Sequence, residues 1–481
     1  MGDYYLAVDI GASSGRHILG TMQEGKLVLE EVYRFENSMT KRDGHLYWDV
    51  ERLLEEILIG MKKCGEIGRI PVTMGIDTWA VDYVLLDEQG KTTGGVYGYR
   101  DKRTEGMEQE VFRIVPAEEL YARTGIQMTQ FNTIFQLMAD KLHEPQRLQK
   151  ADCLLMLPDY FNYRLTGVKK SEYTNATTGQ LVNLETKRWD WELIESLGYP
   201  TKLFQPLTMP GTIVGALSEQ VRRQVGYSCQ VMQVASHDTA SAVISVPFQG
   251  EAGLYISSGT WSLLGTELQA PICTKESLAC NYTNEGGYQY RYRYLKNIMG
   301  LWMIQSVRRE AAQAYSFAEI CQMAEAEKDF PSRVNVNEDC FLAPEHMTDA
   351  IQAYCRRTGQ PIPETLGQVA AVIYQSLAQC YGEEFQHLEE LTGKKFDAVH
   401  IVGGGSEADY LNRLTAVKSG KTVYAGPAEA TAIGNLMVQM LEADVFRDLQ
   451  EARKAVFDSF GVKTYKMGGE CEQAPFSNGC L

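Results

Sequence analysis

The sequence predicts an α/β protein built as two lobes, and three observations predict it. The chain has 481 residues, whereas a single hydrophobic core usually stops growing near ~250–300 residues. Runs rich in β-branched and aromatic residues alternate with stretches whose apolar residues recur at helical spacing. The strand–turn–strand pattern that opens the chain starts again near its middle, after the breaks at Pro247 and Gly250. The expected division is a first lobe over 1–246, a second over 247–455 and a loose tail over 456–481.

The elements follow in order. "YYLAVDI", "RHILGTM" and "KLVLEEVYRF" are β-rich runs joined by turns and predict a small antiparallel sheet. "YWDVERLLEEILIGMKKCGE" has the apolar spacing of a helix. "VTMGIDTWAVDYVLLDEQGK" reads as strand, loop and strand. "LPDYFNYRLTG" is a helix closed by Gly167. "YSCQVMQVAS" is a strand leading into His237, Asp238 and Thr239, and "TASAVISV" reads as a helix after them. In the second half, "LYISSGTWSLLGTEL" restarts the hairpin. "TLGQVAAVIYQSLAQCYGEEFQHLEELTG" is one long amphipathic helix. "FDAVHIVGGGSEADYLNRLTAVKSG" is strand, glycine turn and helix, and "GPAEATAIGNLMVQMLEA" is a further helix. The strings "SSGRHILGT" and "SSGTWSLLGT" look like matching hairpins from a duplication.

Composition sets the limits on function. With 44% hydrophobic residues the chain is a folding one. Its net charge of −16, with no dense Lys/Arg run, excludes a general nucleic-acid binder and disfavours an anionic membrane surface. No apolar run approaches the ~20 residues that span a bilayer. The opening "MGDYYLAVDIGASSG" lacks a basic segment followed by a long apolar core, so no secretory signal is expected. The 11 cysteines include no CxxC pair, which fits a reducing cytoplasm.

Five motifs carry possible chemistry. In "VDIGASSGR" a carboxylate, Asp9, ends a strand before a turn of small residues. Backbone N–H groups there can approach an anion, with Ser13, Ser14, Gly15 and the forked cation Arg16 beside them. Asp9 suits a Mg²⁺ ion held through water. An ordinary hairpin turn explains the same residues about as well. In "SSGTWSLLG", Gly259 and Thr260 offer a second phosphate turn, or a plain strand end. In "VGGGS", Gly403, Gly404 and Gly405 precede a helix and allow close backbone approach to a nucleotide. In "GIDTWAVDYVLLD", Asp77, Trp79 and Asp82 suit a polyol, though Trp79 in a core is equally natural. The fifth is Asp238 near the start of a helix. It reads either as a helix cap or as a base, with the helix end favouring its ionised form.

Together these stretches resemble the FGGY family of carbohydrate kinases, on the actin-like (ribonuclease H-like) ATPase fold, with a cleft between two lobes. Motifs in family order run from residue 6 to residue 435, and "GASSGR", "DTWAVDYVLLD" and "HDTASAV" are most similar to the branch that acts on rhamnulose. The resemblance implies ATP-dependent phosphorylation of the 1-hydroxyl of L-rhamnulose in L-rhamnose catabolism, or of another ketose such as L-fuculose or xylulose. It implies a cytoplasmic enzyme, monomer or homodimer, that uses ATP and Mg²⁺. Asp238 would be the catalytic base. Trp79, Ala80, Asp82, His237, Thr239 and Asn297 would meet the sugar. Ser13, Ser14, Gly15, Arg16, Thr260, Gln305, Gly403 and Gly404 would bind ATP, and Asp9 would lie by the metal.

The chain departs from the family pattern at Ala80, where that branch usually has Gly, and at Ala408, where an Asn often follows the glycines. Two other classes of function compete: a sensor that kept the binding groups and lost the chemistry, and an actin-like assembly protein. Asp9, Arg16 and Asp238 occurring together argue against the first. The segment from Asp77 to "YRDKRT" has no purpose in the second.

Overall fold

Three consecutive strands open the chain: β1 (Tyr4–Ile10), β2 (Ser14–Gln23) and β3 (Lys26–Glu36), each antiparallel to the next. The computed structural model describes residues 2–248, 250, 253–342, 344–468 and 471–473. The helix α1 (Val50–Glu66) follows; the Asp49 side chain caps it by accepting from the Arg52 N–H. Its buried face carries Leu53, Leu54, Ile57 and Met61 at i, i+1, i+4 and i+8, the spacing that the sequence shows. Strand β4 (Pro71–Thr78) lies parallel to β1 on the side away from β2. Strands β5 (Ile213–Ala216) and β6 (Gln230–Met232) complete a sheet of order β5-β6-β4-β1-β2-β3. β1 is an interior strand buried along nearly its whole length, which is why "YYLAVDI" reads as a continuous apolar run.

Beyond β6 the chain runs alongside β4. The Thr78 N–H donates to the Ser236 carbonyl at 2.9 Å, and Thr78 bridges His237 in parallel. The short helix α2 (Asp238–Ile244) begins there. Asp9, Asp77 and Asp238 therefore all emerge at the carboxyl ends of neighbouring parallel segments, the edge where open α/β sheets bind ligands.

The second half repeats this arrangement. Strands β7 (Leu254–Ser258) and β8 (Trp261–Leu268) form an antiparallel hairpin. The chain continues through β9 (Thr283–Gly286), β10 (Tyr292–Met299) and the helix α3 (Trp302–Glu310). The long helix α4 (Leu366–Thr392) runs from a Thr365 cap to Gly393. Then come β11 (Ala398–Val402), α5 (Asp409–Ser419), β12 (Thr422–Ala425) and α6 (Ala430–Glu442). β7 is parallel to β11, and β11 to β12. A hairpin followed by two parallel strands thus occurs twice.

The two Ser-Ser-Gly strings are not the equivalent positions, however. In the first hairpin the Gly11 N–H donates to the Ser14 carbonyl at 2.9 Å; in the second the Gly259 N–H donates to the Trp261 carbonyl at 2.8 Å. Gly11 therefore matches Gly259. One Ser-Ser-Gly follows its turn, and the serines of the other precede theirs.

The chain divides into two compact units, with the first break between Ser245 and Val246. A second lobe running without interruption over 247–455 is not what forms. Leu268–Tyr294 and Thr431–Ser459 pack into the first unit; the second contains Val246–Glu267, Leu295–Ala430 and the described residues from Phe460 on. The reason lies in α6. Its Gln439 donates to the Leu6 carbonyl at 3.0 Å, and its Asn435 to the Gly75 carbonyl at 3.1 Å. Gly434 permits that approach, because a Cβ there would stand 1.7 Å from the Ser241 carbonyl oxygen. The expected loose tail is also corrected in part: β13 (Lys463–Tyr465) pairs with β12, and β14 (Cys471–Gln473) pairs with β13. Cys340 and Cys355 are free thiols, while Cys480 lies outside the described residues.

Candidate active site

The first hairpin places Asp9 directly across from Arg16. Nε and Nη2 of Arg16 donate to Oδ2 of Asp9 at 3.0 and 2.9 Å, so the two residues expected to serve metal and phosphate hold each other. The turn between them is braced by Asn37, whose N–H donates to Ser13 O at 3.0 Å and whose Nδ2 donates to Gly11 O at 2.9 Å. Ala12 and Ser13 stay exposed at the tip, Ser14 is half-buried and Gly15 is buried beneath Phe35.

On the next strand, Asp77 stands level with Asp9. It is fully buried, and its Oδ2 accepts from Asn435 Nδ2 at 2.6 Å. Its Oδ1 is buried with no hydrogen-bond partner among the described residues. Burial first, and repulsion from Asp9 second, hold this carboxyl well above the usual carboxylate range.

Asp238 is the first residue of α2 and does not cap it; His237 occupies the cap position. Oδ1 of Asp238 accepts from the Thr239 N–H at 2.6 Å and the Thr239 hydroxyl at 3.2 Å, and lies 3.3 Å from His237 Nε2. The side chain remains 33% exposed. The pull of the helix end toward the ionised form does not set the net direction. Burial raises the carboxyl above its ordinary value, with Asp9 adding to that and His237 opposing it. A helix of seven residues adds too little dipole to offset these effects.

Two buried carboxylates that nothing in the sequence singles out lie against Ser236 and His237. Glu172 accepts from the Ser236 N–H at 3.2 Å and the Ser236 hydroxyl at 2.7 Å. Glu285 on β9 lies 3.3 Å from His237 Nδ1 and 2.9 Å from Nη1 of Arg293 on β10. Burial works to raise Glu285, but Arg293 and then His237 outweigh it and leave the carboxyl below its usual value.

Reading Trp79 and Asp82 as sugar contacts does not fit their placement. Asp82 is 1% exposed, and its oxygens accept from Trp48 Nε1 at 2.6 Å, Trp79 Nε1 at 2.9 Å, Gln136 Nε2 at 2.9 Å and the Tyr99 N–H at 3.1 Å. Burial nevertheless lifts its pKa to about 6. Trp79 is 7% exposed and packs on Trp48 with ring centroids 4.0 Å apart. Both residues are core, the alternative that the sequence left open for Trp79. Ala80 is half-buried beside them, and Thr239 is buried.

In the second unit, the Gly259–Thr260 turn meets the start of α3: Leu301 N–H donates to Gly259 O at 3.0 Å and Trp302 N–H to Thr260 O at 3.1 Å. Gln305, half-buried, lies one helical turn further along. Gly403 has φ +82°, which an L side chain rarely adopts, and its N–H donates to Pro427 O at 2.9 Å. Gly404 is exposed. Ala408 occupies the cap position of α5 and gives no side-chain cap bond. Asn297 is half-buried, four residues after Arg293 on β10. Among the described residues no helix is long and apolar enough to cross a membrane.

The sequence profile for the N-terminal domain of the FGGY family of carbohydrate kinases matches residues 4–245, and that for the C-terminal domain matches 254–443. The chain belongs to the FGGY family of carbohydrate kinases. Curated relatives agree. A rhamnulokinase of Oceanobacillus iheyensis is 49% identical over 460 residues, covering 96% of this chain and 97% of the relative. A rhamnulokinase of Bacillus subtilis is 45% identical over 462 residues, covering 96% and 95%. Among solved structures, a ligand-bound xylulose kinase of Lactobacillus acidophilus superposes with a TM-score of 0.77 at 15% identity, covering 96% of this chain and 94% of that one. A glycerol kinase of Plasmodium falciparum with ADP gives 0.77 at 15%, with the same coverages. At such identities the likeness concerns fold: the two-domain actin-like architecture of FGGY sugar kinases. The chain is a carbohydrate kinase of that family.

Proposed function

We infer that this chain transfers the γ-phosphoryl group of ATP to the 1-hydroxyl of L-rhamnulose, giving L-rhamnulose 1-phosphate and ADP. The observation that carries the reaction is Asp238. It is a partly exposed carboxylate at the carboxyl edge of the first sheet, held on one oxygen by Thr239 and His237 and raised by burial toward the operating range of a base. The near-full-length identity to proteins named rhamnulokinase supports the choice of sugar.

In this reading Oδ2 of Asp238 takes the proton as the O1–H bond breaks. The O1–phosphorus bond forms in line as the bond to the bridging oxygen of ADP breaks. Such transfer rests mainly on positioning and charge stabilisation, and a placed base contributes roughly 10²–10⁴-fold. His237, Thr239 and Ala80 are the first unit's candidates for the sugar, and Asn297 the second unit's. Ser13, Ser14, Gly15 and Arg16 are assigned to ATP phosphates. Thr260, Gln305, Gly403 and Gly404 are the second unit's candidates for the nucleotide.

The residues fit Mg²⁺ as a water-held ion. Asp9 is a hard oxygen donor, and Asp77 stands level with it on the adjacent strand, one of its oxygens buried with no hydrogen-bond partner among the described residues. Among the described residues no group of three or more His, Cys, Asp or Glu is placed to ligate a metal directly. Bound there, Mg²⁺ would offset charge on the phosphates.

The test is Asp238→Asn. It is expected to keep the fold and ATP binding while ADP release falls by roughly 10²-fold or more; near-normal turnover by the folded variant overturns the assignment. ADP release across a panel of deoxy- and ordinary ketoses tests the sugar, with rhamnulose expected to lead.

A further inference from the structure

Arg293 is the largest fully buried side chain among the described residues. Its Nε donates to Gly286 O at 3.0 Å, its Nη1 lies 2.9 Å from Glu285 Oε2, and its Nη2 lies 3.2 Å from Nδ1 of His237. Glu285 Oε2 is itself 3.3 Å from that same Nδ1. On the other side of the ring, Nε2 of His237 faces Asp238 Oδ1 at 3.3 Å. The side chains of His237 and Glu285 are 10% and 7% exposed, so water does little to screen these contacts.

The donor chemistry restricts the ring. Arginine has five N–H donors and no acceptor. Its contact with Nδ1 is attractive only when Nδ1 carries a lone pair, which puts the proton of a neutral imidazole on Nε2. If the ring is doubly protonated instead, Nδ1–H donates to Glu285 and Nε2 again carries a proton. Nδ1–H with a bare Nε2 would satisfy Glu285, but it sets an N–H against the Arg293 donor and a lone pair against the Asp238 carboxylate. Arg293 behind the ring and Asp238 in front of it thus select the same outward-facing N–H.

We propose that Arg293, with Glu285 as its buried counter-ion, positions the His237 ring so that Nε2 carries the proton on the side of Asp238. Oδ1 of Asp238 then accepts from the N–H and hydroxyl of Thr239 and has Nε2 of His237 3.3 Å away, and Oδ2 is the oxygen left to accept the sugar proton. The role rests on the assignment of Asp238 as base; the state of the ring does not. Neither residue of the pair touches substrate in this reading. They act through His237, and a small misplacement of a reacting group costs roughly 10²-fold in rate.

The experiment uses the full-length, unmutated protein labelled with ¹⁵N-histidine, with His237 assigned by the signals lost in His237→Gln. Long-range ¹H–¹⁵N correlation is expected to show Nε2 protonated at neutral and mildly alkaline pH. A bare Nε2 overturns the proposal. Glu285→Gln, which keeps size and loses the charge, and Arg293→Lys, which keeps the charge and loses the forked donors, are expected to lower kcat by roughly tenfold or more with the KM for ATP unchanged. Either variant, folded and with full kcat, overturns it as well. If a variant fails to fold, the spectrum of the unmutated protein still decides. If Asp238→Asn keeps its turnover while Nε2 is protonated, the base assignment fails and the positioning of the ring stands.

Discussion

The N–H of Asp82 donates to the carbonyl of Ala80 at 2.9 Å, closing a three-residue turn around Val81 at φ +68°. A turn of this hand is rare and strained, and a β-branched residue at positive φ is an outlier. The turn is held from outside: Val81 O accepts from the Thr133 hydroxyl at 2.7 Å and from Gln136 Nε2 at 3.2 Å. It follows directly on the Trp79 anchor and presents Ala80 half-exposed.

Strain of this kind costs about 1–3 kcal/mol, and a buried Val side chain contributes about 1.5–3 kcal/mol. Val81→Gly relieves the first and loses the second, so its net effect on stability is expected to be about 1 kcal/mol or less. Val84→Gly, at a 1% exposed position in an ordinary strand, loses the burial with no relief and is expected to cost about 3 kcal/mol. Chemical denaturation of the two variants checks this. Equal losses would mean that Val81 stores no strain.

Asp238 sets a pH dependence of definite sign. The base works ionised, and its carboxyl is raised above the ordinary Asp value of about 3.9. The kcat/KM for sugar, which reports the free enzyme, is therefore expected to fall on the acid side with an apparent pKa above that value. The stability link has the opposite sense. A raised carboxyl stabilises the fold below the unfolded value and loses that contribution as pH rises through the folded one. Asp238→Asn is thus expected to melt higher than the parent at neutral pH and alike at low pH. An acid limb at or below the ordinary value, with the protein still folded, contradicts the arrangement.

Ala408 leaves α5 without a side-chain cap. Ala408→Asn is expected to stabilise the protein by about 1 kcal/mol, since Asn is among the best cap residues, and to leave the KM for ATP unchanged. Urea titration and ATP kinetics on the same preparation measure both. A large fall in the KM for ATP without a gain in stability would give the position a nucleotide role instead.

Local pattern carried much of this structure. The apolar runs of β1 to β3, the face of α1 and the helix closed by Gly167 all followed from period and turn residues. Asp9, Arg16 and Asp238 were legible because each sits at a strand or helix end with small neighbours. Glu172, Glu285, Arg293 and Asn435 were not. Each is a single polar residue in a stretch with its own structural explanation, and its importance comes from a partner far along the chain. Asn435 and Asp77 are 358 residues apart, and no periodicity records such a pair.

The sequence by itself determined the main strands and helices, their order and the hairpin that restarts in the second half. Only the tertiary structure decided that Trp79 and Asp82 are core and that 268–294 and 431–459 return to the first unit. The same holds for the sense in which the Asp238 carboxyl is shifted. The physical reason is one of range. Spacing and turn chemistry act over a few residues and are written in order along the chain. Burial and charge act between groups that folding alone makes neighbours.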